Sequence, residues 1–317
     1  MRRLALAVSG LLFACGGPGG GPATKWTKVA ALPNDASPIC ILVDGDSIFV
    51  GHSQGIAKTT DDGATWAASD LKLSLDGGAP IQTEFMAFSG TTLLAGGEAT
   101  FSSTDHGVTW RAANTGMPNT VSVYTFFTTG TTTLAGMNAS SGPMGGVFRT
   151  TNKGMTWSAS ATGLGMNTGV NSFERVGQTI FASAGETIGR STDEGVTWQT
   201  SPTKPGMSNT LWLETLEGIL YIATANSGVY SSGDGVVFTA VSQGLPPNKG
   251  VSSLFVNDGK IYASVTGAGV FVTADKGASW TAFNEGFTGL PRVIQFAVHG
   301  KKLFAVTEPA GVWVNQL

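Results

Sequence analysis

The chain has 317 residues, 18 lysines and arginines against 21 aspartates and glutamates, and a formal net charge of −3. Without a basic stripe or an acidic block, this balance argues against a nucleic-acid partner and against a charged disordered tail. Glycine is high (45 residues), charge is low at 12%, and the 41% hydrophobic content is ample for one large core, a size that all-β folds reach as a single unit.

At the start, Met1-Arg2-Arg3 and the apolar run from Leu4 to Ala14 read as a signal peptide, the run being too short to span a bilayer. Leu12-Phe13-Ala14-Cys15-Gly16 resembles the lipobox of bacterial lipoproteins. The resemblance implies cleavage before Cys15, lipidation of Cys15, and a membrane anchor through it. Residues 1–14 are then the signal peptide, residues 15–24 the lipidated cysteine and a Gly/Pro-rich tether, and residues 25–317 the folded domain. Position 16 is Gly and not Asp, which by the same resemblance implies the outer membrane or cell surface. Cys40 is the only other cysteine, so no disulfide framework and no cysteine metal site can form. It lies in the apolar run Ile39–Val43 and reads as an inert core thiol.

From residue 39 onward the chain repeats. Ile39–Val43, Ser47–Gly51 and Gly55–Thr59 are short apolar runs bounded by turn residues, which predicts three strands. They are followed by the box Thr59-Thr60-Asp61-Asp62-Gly63-Ala64-Thr65-Trp66 and a fourth strand from Trp66. The box returns around Asp105 and Trp110, Asn152 and Trp157, Asp193 and Trp198, and Asp275 and Trp280; a shortened copy carries Asp234 and Phe238. The terminal aromatics are 44, 47, 41, 40 and 42 residues apart. That period identifies a radial array of four-stranded units. The last unit, Gly311-Val312-Trp313, ends without a box, whereas Lys25-Trp26-Thr27-Lys28-Val29 looks like the strand that follows one, and Trp26 lies 40 residues before Trp66. The expectation is an all-β, seven-bladed β-propeller of four-stranded antiparallel blades, closed by the N-terminal strand joining the C-terminal blade. Small residues at the ends of the second strands predict crowding between neighbouring sheets.

The box has a structural job of its own. Its Asp suits a tight turn in which the carboxylate accepts backbone N–H groups, its Gly takes the left-handed conformation, and its aromatic packs between blades. Asn152 can replace Asp, and the copy with Phe238 is expected to be the loosest. The pattern resembles the Asp-box, or BNR repeat, of bacterial sialidases, xyloglucan-degrading hydrolases, the sortilin ectodomain and a photosystem II assembly factor. In that family the boxes lie opposite the catalytic or binding face, so they imply fold and not activity.

The loops between units and between second and third strands then form the functional face. His52, His106 and His299 fall in unlike places of the repeat, so no histidine metal centre or triad is expected. The Phe/Tyr-Arg-Ile-Pro motif of sialidases is absent, and of the five arginines after residue 24 only Arg292 is placed to reach the functional face. For hydrolysis by a carboxylate pair the candidates are Glu84 and Glu308, with Glu98 and Glu186 nearby in loops. For binding they are Arg292, Trp212 and Tyr124, with Lys204 and Lys249 available to an anionic partner. Gly116-Met117-Pro118, Gly163-Leu164, Gly244-Leu245-Pro246 and Gly289-Leu290-Pro291 read as plugs at the blade tops, and the loop from Met137 to Gly145 is the clearest insertion. The reading is a monomeric, surface-anchored scaffold that binds a protein or glycan, with no cofactor, no metal and no nucleic acid. The alternative is a sialidase-like or other glycan-active hydrolase.

Overall fold

The computed structural model describes residues 25–68, 81–118, 122–137, 146–164, 168–202, 209–309 and 311–317. The expected signal peptide, Cys15, the expected tether, Lys204 and all of the 137–145 loop except Met137 lie outside these residues.

Seven four-stranded antiparallel sheets are arranged as a ring. Blade 1 is Pro38–Asp44, Ser47–His52, Gly55–Thr59 and Ala67–Ala68, each strand paired with the next. Blades 2 to 6 repeat this order, opening with Thr83–Ser89, Val123–Thr129, Val170–Val176, Thr210–Leu216 and Val251–Asn257. Blade 7 takes three strands from the C-terminal part of the chain, Arg292–His299, Lys302–Glu308 and Gly311–Gln316, and its outer strand, Thr27–Lys28, from the N-terminal part. The closing register is Thr27 opposite Val314 and Lys28 opposite Trp313. This is the closure that the 40-residue offset of Trp26 predicted. Closing the ring leaves only short strand edges exposed.

The core is divided among the blade junctions. Seven apolar clusters each join two neighbouring blades: Cys40, Phe49 and Ile56 of blade 1 meet Met86, Leu93 and Phe101 of blade 2, and Ile41, Ile48 and Val50 meet Phe304, Val306 and Val312 where blade 1 closes on blade 7. Burying each such side chain is worth roughly 1.5–3 kcal/mol, so a single blade, with half of its contacts missing, has no core of its own. The second strands approach the next blade closely. A Cβ on Gly136 would stand 2.5 Å from the carbonyl oxygen of Val170.

The box turns close on themselves. In blade 1 the Thr59 hydroxyl donates to Asp61 (2.6 Å) and accepts the Gly63 N–H (3.0 Å), while Asp61 accepts the Thr65 N–H (2.9 Å) and hydroxyl (2.6 Å). The residue before the glycine is left-handed as well as the glycine itself, Asp62 at φ 57° and Gly63 at φ 83°. In the third box Asn152 accepts the Thr156 N–H (2.9 Å) and, through its amide nitrogen, donates to the Thr156 hydroxyl (2.8 Å), reversing one bond without losing it. The shortened box satisfies Asp234 with the N–H groups of Val236 and Val237, both at 2.8 Å. Phe238 is only 4% exposed, equal to Trp157, Trp198 and Trp280. The expectation that this copy would be loosest is therefore corrected: Trp66 and Trp110 are the half-exposed aromatics.

Each regular junction is also stapled by backbone. The turns 114–117, 161–164, 242–245 and 284–287 close with N–H···O bonds of 2.9, 3.0, 3.0 and 3.1 Å. Their peptide carbonyls accept the N–H of Trp157, Trp198, Trp280 and Trp26 in the next blade (2.8–2.9 Å). The indole N–H groups of the same four tryptophans donate to Ala113, Ser160, Val241 and Phe283. These turns are the plugs read from the sequence, with one correction. The fourth is Asn284-Glu285-Gly286-Phe287, and Gly289-Leu290-Pro291 stands outside it with Leu290 53% exposed.

Candidate functional site

Ion pairs fix which loops share a face. The box of one blade touches the first turn of the blade before it: His106 with Asp44 (2.7 Å), Lys276 with Glu217 (2.5 Å), and Asp62 with both His299 (2.6 Å) and Lys302 (2.7 Å). The strands therefore begin and end their irregular loops on the opposite face, where the seven first strands open around the axis.

At that opening every first strand carries a β-bulge. The register to the second strand shifts between its first and third residues in six blades, and between its second and fourth, Val293 and Gln295, in the last. The extra residues are Ile39, Glu84, Tyr124, Asn171, Leu211, Ser252 and Ile294, and each is partly exposed. A bulge re-aims a side chain at the cost of one unpaired residue, and seven of them place a crown of six side-chain types at the funnel mouth. The repeat is regular in backbone here and irregular in chemistry.

Two of the residues singled out in the sequence, Glu84 and Tyr124, meet in this crown. Burial pushes the Glu84 carboxyl up to about 7, with the charge of Glu98 adding to the effect and a hydrogen bond from Gln82 (3.4 Å) opposing it. Burial, then the Glu84 charge, raises the Tyr124 phenol. Beneath them Cys40 is buried, its thiol pushed up to about 12 by desolvation, with its sulfur 3.7 Å from the Thr83 carbonyl oxygen. Arg292 and Glu308 stand two blades away and are paired with each other at 2.8 Å, across the register of blade 7. Glu84 and Glu308 are thus separated by blade 1, and Arg292 already has a carboxylate.

Trp212 leads deeper into the funnel, to a feature sequence reasoning missed. Its indole N–H donates to Glu214 (3.3 Å). Burial, then the charge of Glu174 in the neighbouring blade, pushes the Glu214 carboxyl up to about 8. Glu174 is itself raised by burial and accepts the Arg175 N–H (2.9 Å) and the Thr215 hydroxyl (3.4 Å). The same place in the other five first strands holds Leu42, Ala87, Phe127, Phe255 and Ala297. Two adjacent carboxyls in an otherwise apolar layer depart from the repeat, and aligning the first strands on their bulges is the signal that would have exposed them. Arg175, one residue on, turns instead to Glu194 in the box of its own blade.

The three histidines sit apart. His106 and His299 are on the box face. His52 is buried in blade 1, its Nδ1 accepting the Gln54 N–H (3.1 Å), and burial lowers its pKa. Among the described residues no three His, Cys, Asp or Glu side chains are grouped to hold a metal ion, and no helix is long and apolar enough to cross a membrane.

No protein-family model matches the chain, and no curated protein matches it. Solved structures match well. YCF48 from Cyanidioschyzon merolae superimposes with a TM-score of 0.66 at 15% identity, over 92% of this chain and 98% of that one, and YCF48 bound to D1 peptide gives 0.69 at 15%, over 94% and 96%. The extracellular domain of the putative hybrid two component system BT4673 from B. thetaiotaomicron gives 0.73 at 14%, this chain covering 39% of that one. An ancestral GH74 enzyme gives 0.67 at 14%, covering 92% of this chain and 47% of that one. At these identities the likeness establishes a seven-bladed β-propeller of four-stranded antiparallel sheets.

Proposed function

We propose that this protein is an Asp-box propeller lipoprotein, held at the outer membrane or cell surface through Cys15, that binds a protein or glycan ligand in the funnel mouth and acts as a scaffold, not a catalyst. The observation that supports it most is the crown of bulged residues. Seven equivalent backbone positions carry six different residue types, with the Glu84 carboxyl and the Tyr124 ring among them and Trp212 deeper in the funnel. Rigid scaffolds with irregular loops are where recognition concentrates, and the similar fold of YCF48 is known bound to D1 peptide. The protein acts as a monomer without a cofactor. Peptide and glycan arrays probed with the full chain test the reading: a ligand captured by the wild type and lost in Tyr124→Ala and Trp212→Ala supports it. A ligand retained by both variants removes the funnel from the account.

A second reading, hydrolysis of a glycan, draws on one observation: Glu84, held near neutral pH beside Glu98, has the character of a general acid. Turnover of a sialoside or glucan that disappears in Glu84→Gln would establish it, and absence of turnover across such a panel excludes it.

A further inference from the structure

Seven large apolar side chains are exposed among the described residues; four of them occupy one place in the repeat and a fifth the place beside it. Val108, Met155 and Val196 follow the box glycine in blades 2, 3 and 4, Val236 fills that place in the shortened box of blade 5, and Val237 stands next to it where the full boxes carry Thr or Ser. Their exposures run from 47 to 68%. The backbone there is satisfied without them: the N–H groups of Val108, Met155 and Val196 each donate to the box Asp or Asn carbonyl at 3.3 Å. Blades 1 and 6 fill the same place with Ala64 and Ala278 and form the same turn. The fold does not need the large apolar groups, so they form an arc on the box face with no structural partner.

The N-terminal part of the chain enters on that same face. Trp26 repeats both bonds of a box tryptophan, its N–H to Glu285 and its indole to Phe283, so the segment before it arrives where blade 7 would carry a box. Blade 7 lies across the ring from blades 3 and 4. The ten residues from Cys15 to Lys25 reach at most about 35 Å. Several side-chain charges on this face are matched in pairs, Asp44 with His106, Asp62 with His299 and Lys302, Glu194 with Arg175, and Glu217 with Lys276. The box carboxylates Asp61, Asp105, Asp193, Asp234 and Asp275 accept hydroxyl and backbone N–H groups of their own turns.

We propose that the box face lies against the membrane surface, with Val108, Met155, Val196 and Val237 seated at the lipid headgroup boundary and the funnel mouth turned outward. This rests on the lipid anchoring of Cys15 proposed above. A lipid anchor alone fixes one point and leaves the domain free to tilt; apolar side chains on the far rim of the same face supply the second contact that membrane attachment uses. The arrangement gives the two faces separate tasks, one toward lipid and one toward ligand.

The test uses the full lipidated chain in vesicles of phosphatidylethanolamine and phosphatidylglycerol. An environment-sensitive fluorophore is placed on Met155→Cys and, on the opposite face, on Leu290→Cys. The expected result is co-flotation of the chain, a blue shift and quenching by lipids brominated near the headgroup at position 155, and neither at position 290. The exposed quadruple variant Val108→Ser, Met155→Ser, Val196→Ser and Val237→Ser, carrying the position-290 probe, still floats, and that probe becomes quenched as the domain tilts. Flotation with an aqueous probe at 155 overturns the orientation and leaves the anchor standing. A chain that does not float overturns both, and a probe at 155 that is shielded without vesicles identifies a protein contact instead.

Discussion

The two faces of the ring handle carboxylates in opposite ways. On the box face, hydrogen bonds from Thr59 and then Thr65 hold Asp61 down at about 2, and Ser279, then Thr273, hold Asp275 there too. Around the funnel, burial lifts Glu84 to about 7 and Glu214 to about 8. The first face surrounds each charge with donors that the repeat supplies six times. The second withholds donors from groups that occur once. Polar groups whose hydrogen bonds are complete serve the fold, whereas desolvated ones with few donors are available to a ligand.

The largest effect that would break this division belongs to the closure. Trp26 is 2% exposed, stacks on Phe287 at 4.7 Å and bonds to Phe283. Trp26→Ala is expected to cost about 3–5 kcal/mol, read as a lowered denaturation midpoint. An unchanged midpoint would mean that the ring does not depend on its N-terminal strand. Next is Gly163, at φ 97°, where a Cβ would fall 1.9 Å from the Trp198 carbonyl oxygen. Gly163→Ala is expected to lose about 1–3 kcal/mol, and Gly289→Ala, which has open space, clearly less despite its φ of 87°.

Much of this was legible in the sequence, for a physical reason. The box, the small residues of the second strands and the offset of Trp26 recur because every junction solves the same packing problem, so a period of about 42 residues carried the blade count and the closure. The funnel was legible only in part. Glu84, Tyr124, Trp212, Arg292 and Glu308 lie on or near the face opposite the boxes, as their places in the repeat imply, but the pairing of Arg292 with Glu308 comes from a register that spacing alone does not give. Glu174 and Glu214 were hidden inside strands that otherwise read as core. The left-handed Asp62 was hidden too, since its conformation is imposed by the turn and not by its own preference.

Two smaller predictions sharpen the contrast through pH. Glu214 has a folded pKa above its unfolded value, so its contribution to stability is present below about 4.5 and is lost as pH rises toward about 8. Glu214→Gln should therefore be more thermostable than the wild type at pH 8–9, by about 1–3 °C, and the advantage should vanish at pH 4. His52 behaves in the opposite sense. Burial lowers its folded pKa, so its contribution is present above its unfolded pKa of 6.5 and is lost as pH falls below it. The equivalent place in blades 5 and 7 holds Thr224 and Thr307. His52→Thr should remove part of the stability loss between pH 6.5 and 5, and equal slopes for the two proteins would show that His52 is not its source.

The most direct test is a carbon-detected NMR titration of the side-chain carboxyls in the intact protein. Glu84 and Glu214 are expected to titrate above pH 6 while Asp61 and Asp275 remain ionised down to about pH 3. Titration of all four between pH 3.5 and 4.5, at the ordinary values of exposed carboxylates, would contradict this expectation.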